Sequence, residues 1–333
     1  MRTAIVTGAI AAIVAVILFA GSGDATGPNA FVVIGISQGA VFGLVALGLV
    51  LVYKGARVFN FAQGEFGSVA AFMVFVLLEQ TKSIDVPYWA AVIAAIFGAV
   101  LLGLIMERLV VRPLLNRPRV TLLVATIAFA LVAVGMQLLL FLPEPKILPP
   151  WFASLFGKEG FEIFAFTLEP QRVVLVIVMG ALALVLGYFF TKTDLGLAVL
   201  AISQDSFATR VVGIGVERMS RFIWGSAAFL GAVAGILYVP LAGALTPGVM
   251  TTQVLIPSFT GAVIGGMTSL PGAFVGGVLV GLISSLSNWA AGHYYFGESL
   301  IQDTIKGAPD VALVLALLLV LMIRPQGLLG SEA

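Results

Sequence analysis

Few residues of this chain could carry chemistry of their own. It has no cysteine and one histidine, His293, which excludes thiolate metal sites, disulfides and clusters of imidazole ligands. The stretch Gly35-Ile36-Ser37-Gln38-Gly39 matches the pattern of hydrolase nucleophiles. That pattern works only on a strained strand-to-helix turn with a histidine partner, whereas Ser37 sits in a long apolar run. We therefore expect no catalytic residue, no metal and no cofactor.

The chain also lacks a G-x-x-x-x-G-K-[ST] phosphate-binding loop. If ATP drives its activity, another chain must supply the nucleotide site. The net charge of +1 argues against a nucleic-acid partner.

The most unusual polar stretch is Phe59-Asn60-Phe61-Ala62-Gln63-Gly64-Glu65. A carboxylate at the centre of a membrane span costs about 2.5–3.5 kcal/mol on insertion scales. Glu65 should cost less, because the apolar run places it about one turn inside the end of its span. Two interpretations stay open: Asn60, Gln63 and Glu65 line a polar cavity at a broken helix, or Glu65 favours a helix N-terminus and holds the bundle together.

A second interrupted stretch runs from residue 257 to residue 277 and contains Pro257, Thr260 and several glycines. Paired discontinuous helices are the usual place for a substrate site in the middle of a membrane. We therefore take Gln38, Thr260 and Gly261 as further candidates for a substrate pathway. Direct identity between the two interrupted stretches is poor, so the sequence does not establish an internal duplication. Most of the glycine pairs at small-xxx-small spacing indicate close helix packing instead: Gly39–Gly43, Gly231–Gly235, Gly261–Gly265, Gly272–Gly276 and Gly277–Gly281.

The composition places these residues in a membrane. Hydrophobic residues make up 60% of the chain and charged residues 10%, against about 25% charged in soluble domains. The fold class is therefore all-α, a polytopic membrane helical bundle of about 8–10 transmembrane helices with broken or re-entrant segments. We predict spans at residues 4–20, 31–53, 61–79, 88–106, 120–141, 173–190, 222–240, 253–268, 271–288 and 310–323.

Lysine and arginine set the orientation of these spans. With the N-terminus in the cytoplasm, 12 of the 17 basic residues lie on the cytoplasmic side, which the positive-inside rule favours. Only Lys82, Lys146, Lys158, Arg172 and Lys306 lie outside.

We read residues 1–333 as one transmembrane domain with three notable segments. Residues 1–30 form an N-terminal helix and an external linker, although residues 1–20 also have the outline of a signal peptide. Residues 142–171 form an external loop. Residues 191–221 form a cytoplasmic loop long enough for one or two helices, and this loop is the best surface for a cytoplasmic partner.

A short helix is predicted within the cytoplasmic loop. Asp205 can cap its start and Gly213 can end it, since glycine tolerates the left-handed conformation at a helix C-terminus. A capped helix on this face is a part that a motor subunit could push, while an ordinary surface loop is the alternative.

The chain resembles the permease family of bacterial ABC importers for branched-chain amino acids, in order over about residues 30–330. Asn60 to Glu65 are similar to the family's N-F-A-[HQ]-G-E stretch, after a glycine- and alanine-rich helix at residues 39–49. The stretch 265–277 is similar to the G-G-x-G-S-x-x-G-A-x-x-G-G pattern, with Thr268 where glycine is usual. Residues 324–330 also fit. In the cytoplasmic loop, the usual arginine near Leu200 is missing, and the first span and the external loop match less well.

The resemblance implies a permease subunit of the inner membrane that pairs with a second, homologous permease. It also implies two cytoplasmic ATP-binding subunits, an extracytoplasmic substrate-binding protein and membrane lipid as partners. Docking of the ATPase is expected at Asp205, Ala208, Arg210, Gly213 and Arg218. Relatives import leucine, isoleucine and valine, and close relatives carry urea or short amides. An ion-coupled secondary transporter is a further alternative, for which only Glu65 offers an intramembrane titratable group.

The coupling role of the cytoplasmic loop can be tested by reversing one charge. We expect Asp205→Lys to abolish transport while the protein still reaches the membrane, because the ATPase would lose its docking site. The check is an uptake assay with a parallel measurement of the protein in isolated membranes. Normal uptake by this variant would remove the coupling role.

Overall fold

Almost every segment of this chain that the structure describes is helical. The computed structural model describes residues 28–80, 86–115, 117–141, 144–148, 161–163, 166–168, 170–204, 209, 211, 213–293 and 308–330. Helices are expected from the apolar runs, because a spanning segment in lipid must satisfy its backbone hydrogen bonds internally. The predicted first span, residues 4–20, lies outside this range.

Ten α-helices of at least ten residues can be followed along these segments. They are α1 (Pro28–Ala56), α2 (Gln63–Phe75), α3 (Tyr88–Met106), α4 (Arg119–Phe141), α5 (Pro170–Lys192), α6 (Asp194–Gln204), α7 (Val216–Ala242), α8 (Ile256–Gly265), α9 (Leu270–His293) and α10 (Ala308–Ile323). Six of them, α1, α3, α4, α5, α7 and α9, belong to segments that are long and apolar enough to cross a membrane. The prediction of a polytopic helical bundle is confirmed.

The predicted external loop contains a short β-ribbon. Its strands β1 (Phe161–Ile163) and β2 (Phe166–Leu168) pair antiparallel, with Phe161 opposite Leu168. The ribbon pairs the backbone groups of a segment that is too short and irregular to span a membrane.

The two predicted spans that were expected to be broken or re-entrant, 61–79 and 253–268, instead lie in runs that stay helical from residue 63 to 80 and from 249 to 265, and each run combines an α-helix with a π-helical turn. Between α1 and α2 the chain leaves the helical conformation, and Arg57 has a positive φ of 54°. Before α8, a π-helical turn covers Thr251–Leu255, and Pro257 follows it as the second residue of α8. Proline lacks the backbone N–H, so the regular hydrogen-bond ladder is interrupted at this point.

The chain divides into two compact units. The first contains Met1–Gly43, Phe152–Gly180 and Pro257–Ala333, and the second contains Leu44–Trp151 and Ala181–Ile256. Each unit is held by its own helix crossings.

In the first unit, glycines bring α1 and α9 into backbone contact. A Cβ atom added at Gly39 would lie 2.7 Å from Val278 Cα, and one added at Gly281 would overlap the Gly39 backbone. The Ser285 hydroxyl also donates to the Phe31 carbonyl at 2.6 Å. Small residues allow this approach in lipid, where van der Waals contact drives helix association. The packing interpretation of the Gly39–Gly43 and Gly277–Gly281 pairs is confirmed.

The same unit explains the C-terminal Arg-Pro-Gln-Gly-Leu-Leu-Gly stretch. The amide of Leu328 donates to the Ile264 carbonyl at 2.8 Å, and the amide of Leu329 donates to the Gly265 carbonyl at 3.0 Å. These carbonyls end α8 and have no partners within it. The C-terminal stretch therefore caps α8.

In the second unit, α2 and α3 pack against α7. A Cβ at Gly235 would overlap the backbone of Gly67, and one at Gly103 would lie 3.0 Å from the Trp224 carbonyl oxygen. Trp224 is 1% exposed and forms the largest fully buried side chain of this core.

The helix crossing at Gly39 can be tested by overpacking. We expect Gly39→Leu to lower the free energy of unfolding by about 1–3 kcal/mol, because its Cβ would meet the backbone of α9. Gly180→Leu is the matched control, since a Cβ there meets nothing within 4 Å among the described residues. Thermal unfolding in detergent measures both. Equal destabilisation by the two changes would contradict the crossing.

Candidate translocation site

The second unit places the start of α2 near the middle of a membrane span. Gln63 Nε2 donates to the Ala227 carbonyl at 2.8 Å, and Ala227 is the twelfth of the 27 residues of α7. Residues 57–62 therefore run from the end of α1 to the middle of the span, where α2 begins. Glu65 consequently lies deeper than one turn from the end of its span, so the predicted depth was wrong.

Asn60 and Gln63 hold this break in place. Asn60 Oδ1 accepts from the Ala62 amide at 3.0 Å, and Asn60 Nδ2 donates to Gln63 Oε1 at 3.2 Å. Both side chains are 0% exposed. Gly48 provides the space, because a Cβ there would overlap the Gln63 amide. In this conformation Asn60 and Gln63 are bonded inside the protein, so they satisfy the broken backbone instead of facing an open cavity.

Thr126 of α4 also supports the break, and the sequence did not single it out. Its hydroxyl accepts from the Phe61 amide at 3.2 Å and donates to the Leu123 carbonyl at 2.8 Å. The bond to Phe61 joins a loop amide, which helix geometry cannot satisfy, to a neighbouring helix.

Glu65 lies in the first turn of α2, where the helix dipole favours a negative charge. Its Oε2 accepts from Gln137 Nε2 at 2.6 Å, and Gln137 Oε1 accepts from the Gly248 amide at 3.0 Å. Glu65 is 0% exposed and Gln137 4%. The carboxylate thus links α2 through α4 to the segment before α8, which agrees with its role in holding the bundle together. Gln137 is a second polar residue that could have been noticed, since it stands alone in an apolar run.

The segment after α7 turns back into the same region. It leaves α7 at Gly243 with a φ of 78°, and Leu245 exchanges both backbone hydrogen bonds with Lys146. Farther along, the Met250 amide donates to Ser68 Oγ of α2 at 3.2 Å. The chain therefore leaves the helical conformation at Gly243 and is helical again from residue 249, before the predicted span 253–268 begins.

The starts of two helical segments meet at this place. A Cβ on Gly64, the second residue of α2, would lie 2.9 Å from the Thr251 amide nitrogen, where the π-helical turn begins. Helix N-termini carry partial positive charge. The amides of Gln63, Glu65 and Thr252 at these two starts donate to the carbonyls of Asn60, Ala62 and Gly248. Discontinuous helices that end at mid-span are the usual setting of substrate sites in transporters.

The remaining pathway candidates belong to the first unit. Gln38 is half-buried on α1, and Thr260 is 8% exposed on α8. A Cβ at Gly261 would lie 2.7 Å from Gly277 Cα, so Gly261 is a helix-packing position. Ser37 lies within α1 and donates to the Ile34 carbonyl at 2.8 Å, which is ordinary helix geometry and not a nucleophile turn.

The cytoplasmic loop is described only in part. Asp205, Ala208 and Arg210 lie outside the described residues. Gly213 is exposed with a φ of 90°, and the Ile214 amide donates to the Thr209 carbonyl at 3.2 Å. This is the hydrogen bond of a Schellman helix end, so the prediction that Gly213 ends a helix is confirmed.

Arg218 is exposed in the first turn of α7, next to Glu217, which forms an ion pair with Arg112. This pair joins two segments that the basic residues place on the cytoplasmic side. The Lys146–Leu245 backbone pair joins two segments that they place outside. Each contact shows that the two segments it joins lie at the same end of the second unit.

Broken helices that meet at mid-span, inside a bundle of apolar spanning helices, define a multi-pass membrane transport protein. The chain belongs to the family described as "Branched-chain amino acid transport system / permease component", whose profile matches residues 31–324. It is thus the membrane-embedded component of a transporter that has other subunits.

Curated relatives cover most of the chain. The high-affinity branched-chain amino acid transport system permease protein LivH of Salmonella typhimurium is 29% identical over 89% of this chain and 93% of that protein. BraD of Pseudomonas aeruginosa, which carries the same description, is 29% identical over 89% and 94%. The probable branched-chain amino acid transport permease protein LivH of Methanocaldococcus jannaschii is 28% identical over 87% and 88%.

Among solved structures, a chain of PsaBC from Streptococcus pneumoniae in complex with Fab aligns at 12% identity. The alignment covers 87% of this chain and 89% of that chain, with a TM-score of 0.43. At that TM-score the likeness supports no argument about fold or function.

The buried hydrogen bond between Gln137 and Glu65 predicts that substitutions of these two residues have coupled effects on the free energy of unfolding. We expect Gln137→Leu to lower the free energy of unfolding by about 2–5 kcal/mol, because it leaves a buried carboxylate and the Gly248 amide without their partner. Thermal unfolding of the purified protein measures the loss. Adding Glu65→Gln to Gln137→Leu should restore part of it, since the buried charge is gone. A double variant that is no more stable than Gln137→Leu would contradict the coupling.

Proposed function

We propose that this chain forms the translocation pathway for branched-chain amino acids in an ATP-driven importer. The observation that carries the proposal is the family match over residues 31–324, together with relatives whose names state this transport. The mid-span polar cluster supports it, because a pathway for a polar solute needs polar groups at the depth where lipid offers none.

The pathway residues have two kinds of role in this proposal. Asn60, Gln63 and Glu65 form the mid-span part, where they hold a broken helix at a fixed depth. Gln38, Thr260 and Gly261 contribute from the first unit. Of these, Gln38 and Thr260 supply polar surface, and Gly261 allows a close helix crossing.

The partners of the importer follow from what the chain lacks and what it exposes. No phosphate-binding loop is present in the sequence, so we assign ATP hydrolysis to two separate cytoplasmic subunits. Large apolar side chains stand exposed on α3, α4 and α10, including Phe97 at 70%, Leu139 at 79% and Met322 at 86%. Such surfaces suit lipid and a second, homologous permease. An extracytoplasmic binding protein delivers the substrate and sets most of the selectivity.

We place the chain in the plasma (inner) membrane with its N-terminus in the cytoplasm. The ATPase then docks on the loop 191–221 through Asp205, Ala208, Arg210, Gly213 and Arg218. Support comes from the capped helix end at Gly213 and from the exposed Arg218, which leads directly into α7. Because α7 packs on α2, a push on this loop reaches the mid-span break through rigid helices.

The proposal is tested by uptake in cells without their own branched-chain amino-acid transport. The chain is expressed together with two ATPase subunits, a second permease and a binding protein from the same source. We expect uptake of labelled leucine that stops when the catalytic lysine of the ATPases is replaced, and that persists when the proton gradient is collapsed.

Other results would point to other functions. Uptake of urea without leucine would identify an amide importer. Uptake that survives ATP depletion but collapses with the proton gradient would identify an ion-coupled transporter instead.

A further inference from the structure

Two buried oxygen atoms at the mid-span cluster have no hydrogen-bond partner among the described residues. They are Glu65 Oε1 and Thr251 Oγ1. Their polar neighbours Asn60, Gln63 and Ser68 all form hydrogen bonds. A buried polar atom without a partner costs about 1–3 kcal/mol, and more when it is charged. These two atoms are therefore the open positions of an otherwise bonded cluster.

The two oxygens belong to one small region of the second unit. The Thr251 hydroxyl lies beside the Glu65 carboxyl group, and a hydrogen bond between the two uses the hydroxyl proton, so both oxygens keep lone pairs that can accept further hydrogen bonds. A Cβ at Gly64 would be 2.6 Å from Thr251 Oγ1, and a Cβ at Gly248 would be 3.8 Å from Glu65 Oε1. The glycines thus surround the pair without any side chain of their own. Residues 64 and 65 start α2, and Thr251 starts the π-helical turn.

The Glu65 carboxylate is held in a fixed orientation. Gln137 Nε2 donates to Oε2 at 2.6 Å, and the Gly248 amide in turn fixes Gln137. Oε1 is thereby left as an acceptor that cannot rotate away. The dipole of α2 accounts for the tolerance of a charge here, but it does not account for an oriented, open oxygen beside an open hydroxyl.

From this arrangement we infer that Glu65 Oε1 and Thr251 Oγ1 accept hydrogen bonds from the α-ammonium group of the amino acid substrate during its passage. The inference rests on the proposed function and deepens it. An ammonium group carries three donors, so it can bond both oxygens at once, and its charge matches the carboxylate. Val134 lies at the same place, 3.1 Å from a Cβ added at Gly248, and suits an aliphatic side chain.

The buried state of the pair agrees with this role. Glu65 is 0% exposed, as expected for a mid-span contact while access from both sides is closed. The site becomes accessible when the helical segments that start at residues 63 and 251 move apart.

The test uses the full-length chain, purified with its partner permease and ATPases in lipid nanodiscs, without the binding protein. Stabilisation against heat is titrated with three compounds: L-leucine, 3-methylbutylamine, which lacks the carboxylate, and 4-methylpentanoate, which lacks the ammonium. We expect L-leucine and 3-methylbutylamine to stabilise the wild-type complex and 4-methylpentanoate to have no effect.

Variants then assign the contact to the two oxygens. Glu65→Gln keeps the shape and should weaken leucine binding about tenfold or more, as loss of a charge-assisted hydrogen bond does. Thr251→Val should weaken it by a smaller factor. Two matched controls should bind leucine as the wild type does: Thr252→Val, whose hydroxyl bonds only Gly248 and Val249 carbonyls among the described residues, and Glu107→Gln, a second fully buried carboxylate elsewhere in this unit.

Either of two results overturns the inference: stabilisation by 4-methylpentanoate equal to that by leucine, or unchanged leucine affinity in Glu65→Gln. If Glu65→Gln does not fold, the inference is still tested by the leucine affinity of Thr251→Val and by the titration of the wild-type complex with the three compounds. Failure here is distinct from failure of the proposed function. If leucine uptake depends on ATP but 4-methylpentanoate stabilises the complex as well as leucine does, the proposed importer stands and only this ammonium contact is removed.

Discussion

The structure depends on one constraint, that polar backbone groups released by a helix break inside an apolar bundle must find partners within the protein. The break between α1 and α2 meets this constraint through Asn60, which bonds the Ala62 amide, and through Thr126, which bonds the Phe61 amide. The second break, after α7, meets it through Ser68 and Gln137. An unpaired group at this depth would cost several kcal/mol, so the breaks persist only because these side chains lie where they do.

Glycine makes such a close arrangement possible. In both units the helices approach until backbone touches backbone, at Gly39 and Gly281 in the first and at Gly67 and Gly235 in the second. Lipid provides little hydrophobic drive for helix association, so the bundle relies on this contact area and on a few buried hydrogen bonds. The contacts between α2 and α7 connect the Val216 end of α7 to the break at α2. A transporter needs that connection if work done by a cytoplasmic subunit is to reach the middle of the membrane.

The polar cluster combines stability with function. Its bonded members, Asn60, Gln63 and Gln137, fix the depth and direction of the helix starts, while Glu65 keeps one oxygen open. Buried polar groups inside a membrane protein are costly and commonly mark a solute or ion pathway. In the proposed pathway, the bonded members hold the site in place and the open members contact the substrate.

The sequence by itself determined the membrane class, the positions of the six long apolar helices and the role of most glycine pairs, because apolar runs and small-residue spacing are local signals. It also identified Asn60, Gln63 and Glu65 as unusual. Only the tertiary structure decided their depth and partners. Gln137 and Gly248 are far from Glu65 along the chain, and Thr126 is far from Phe61, so no local pattern connects them. The path of the chain after Gly243 could not be predicted from the sequence either. An apolar run shows that a segment can lie in a bundle, but it does not show where inside the bundle the helix begins.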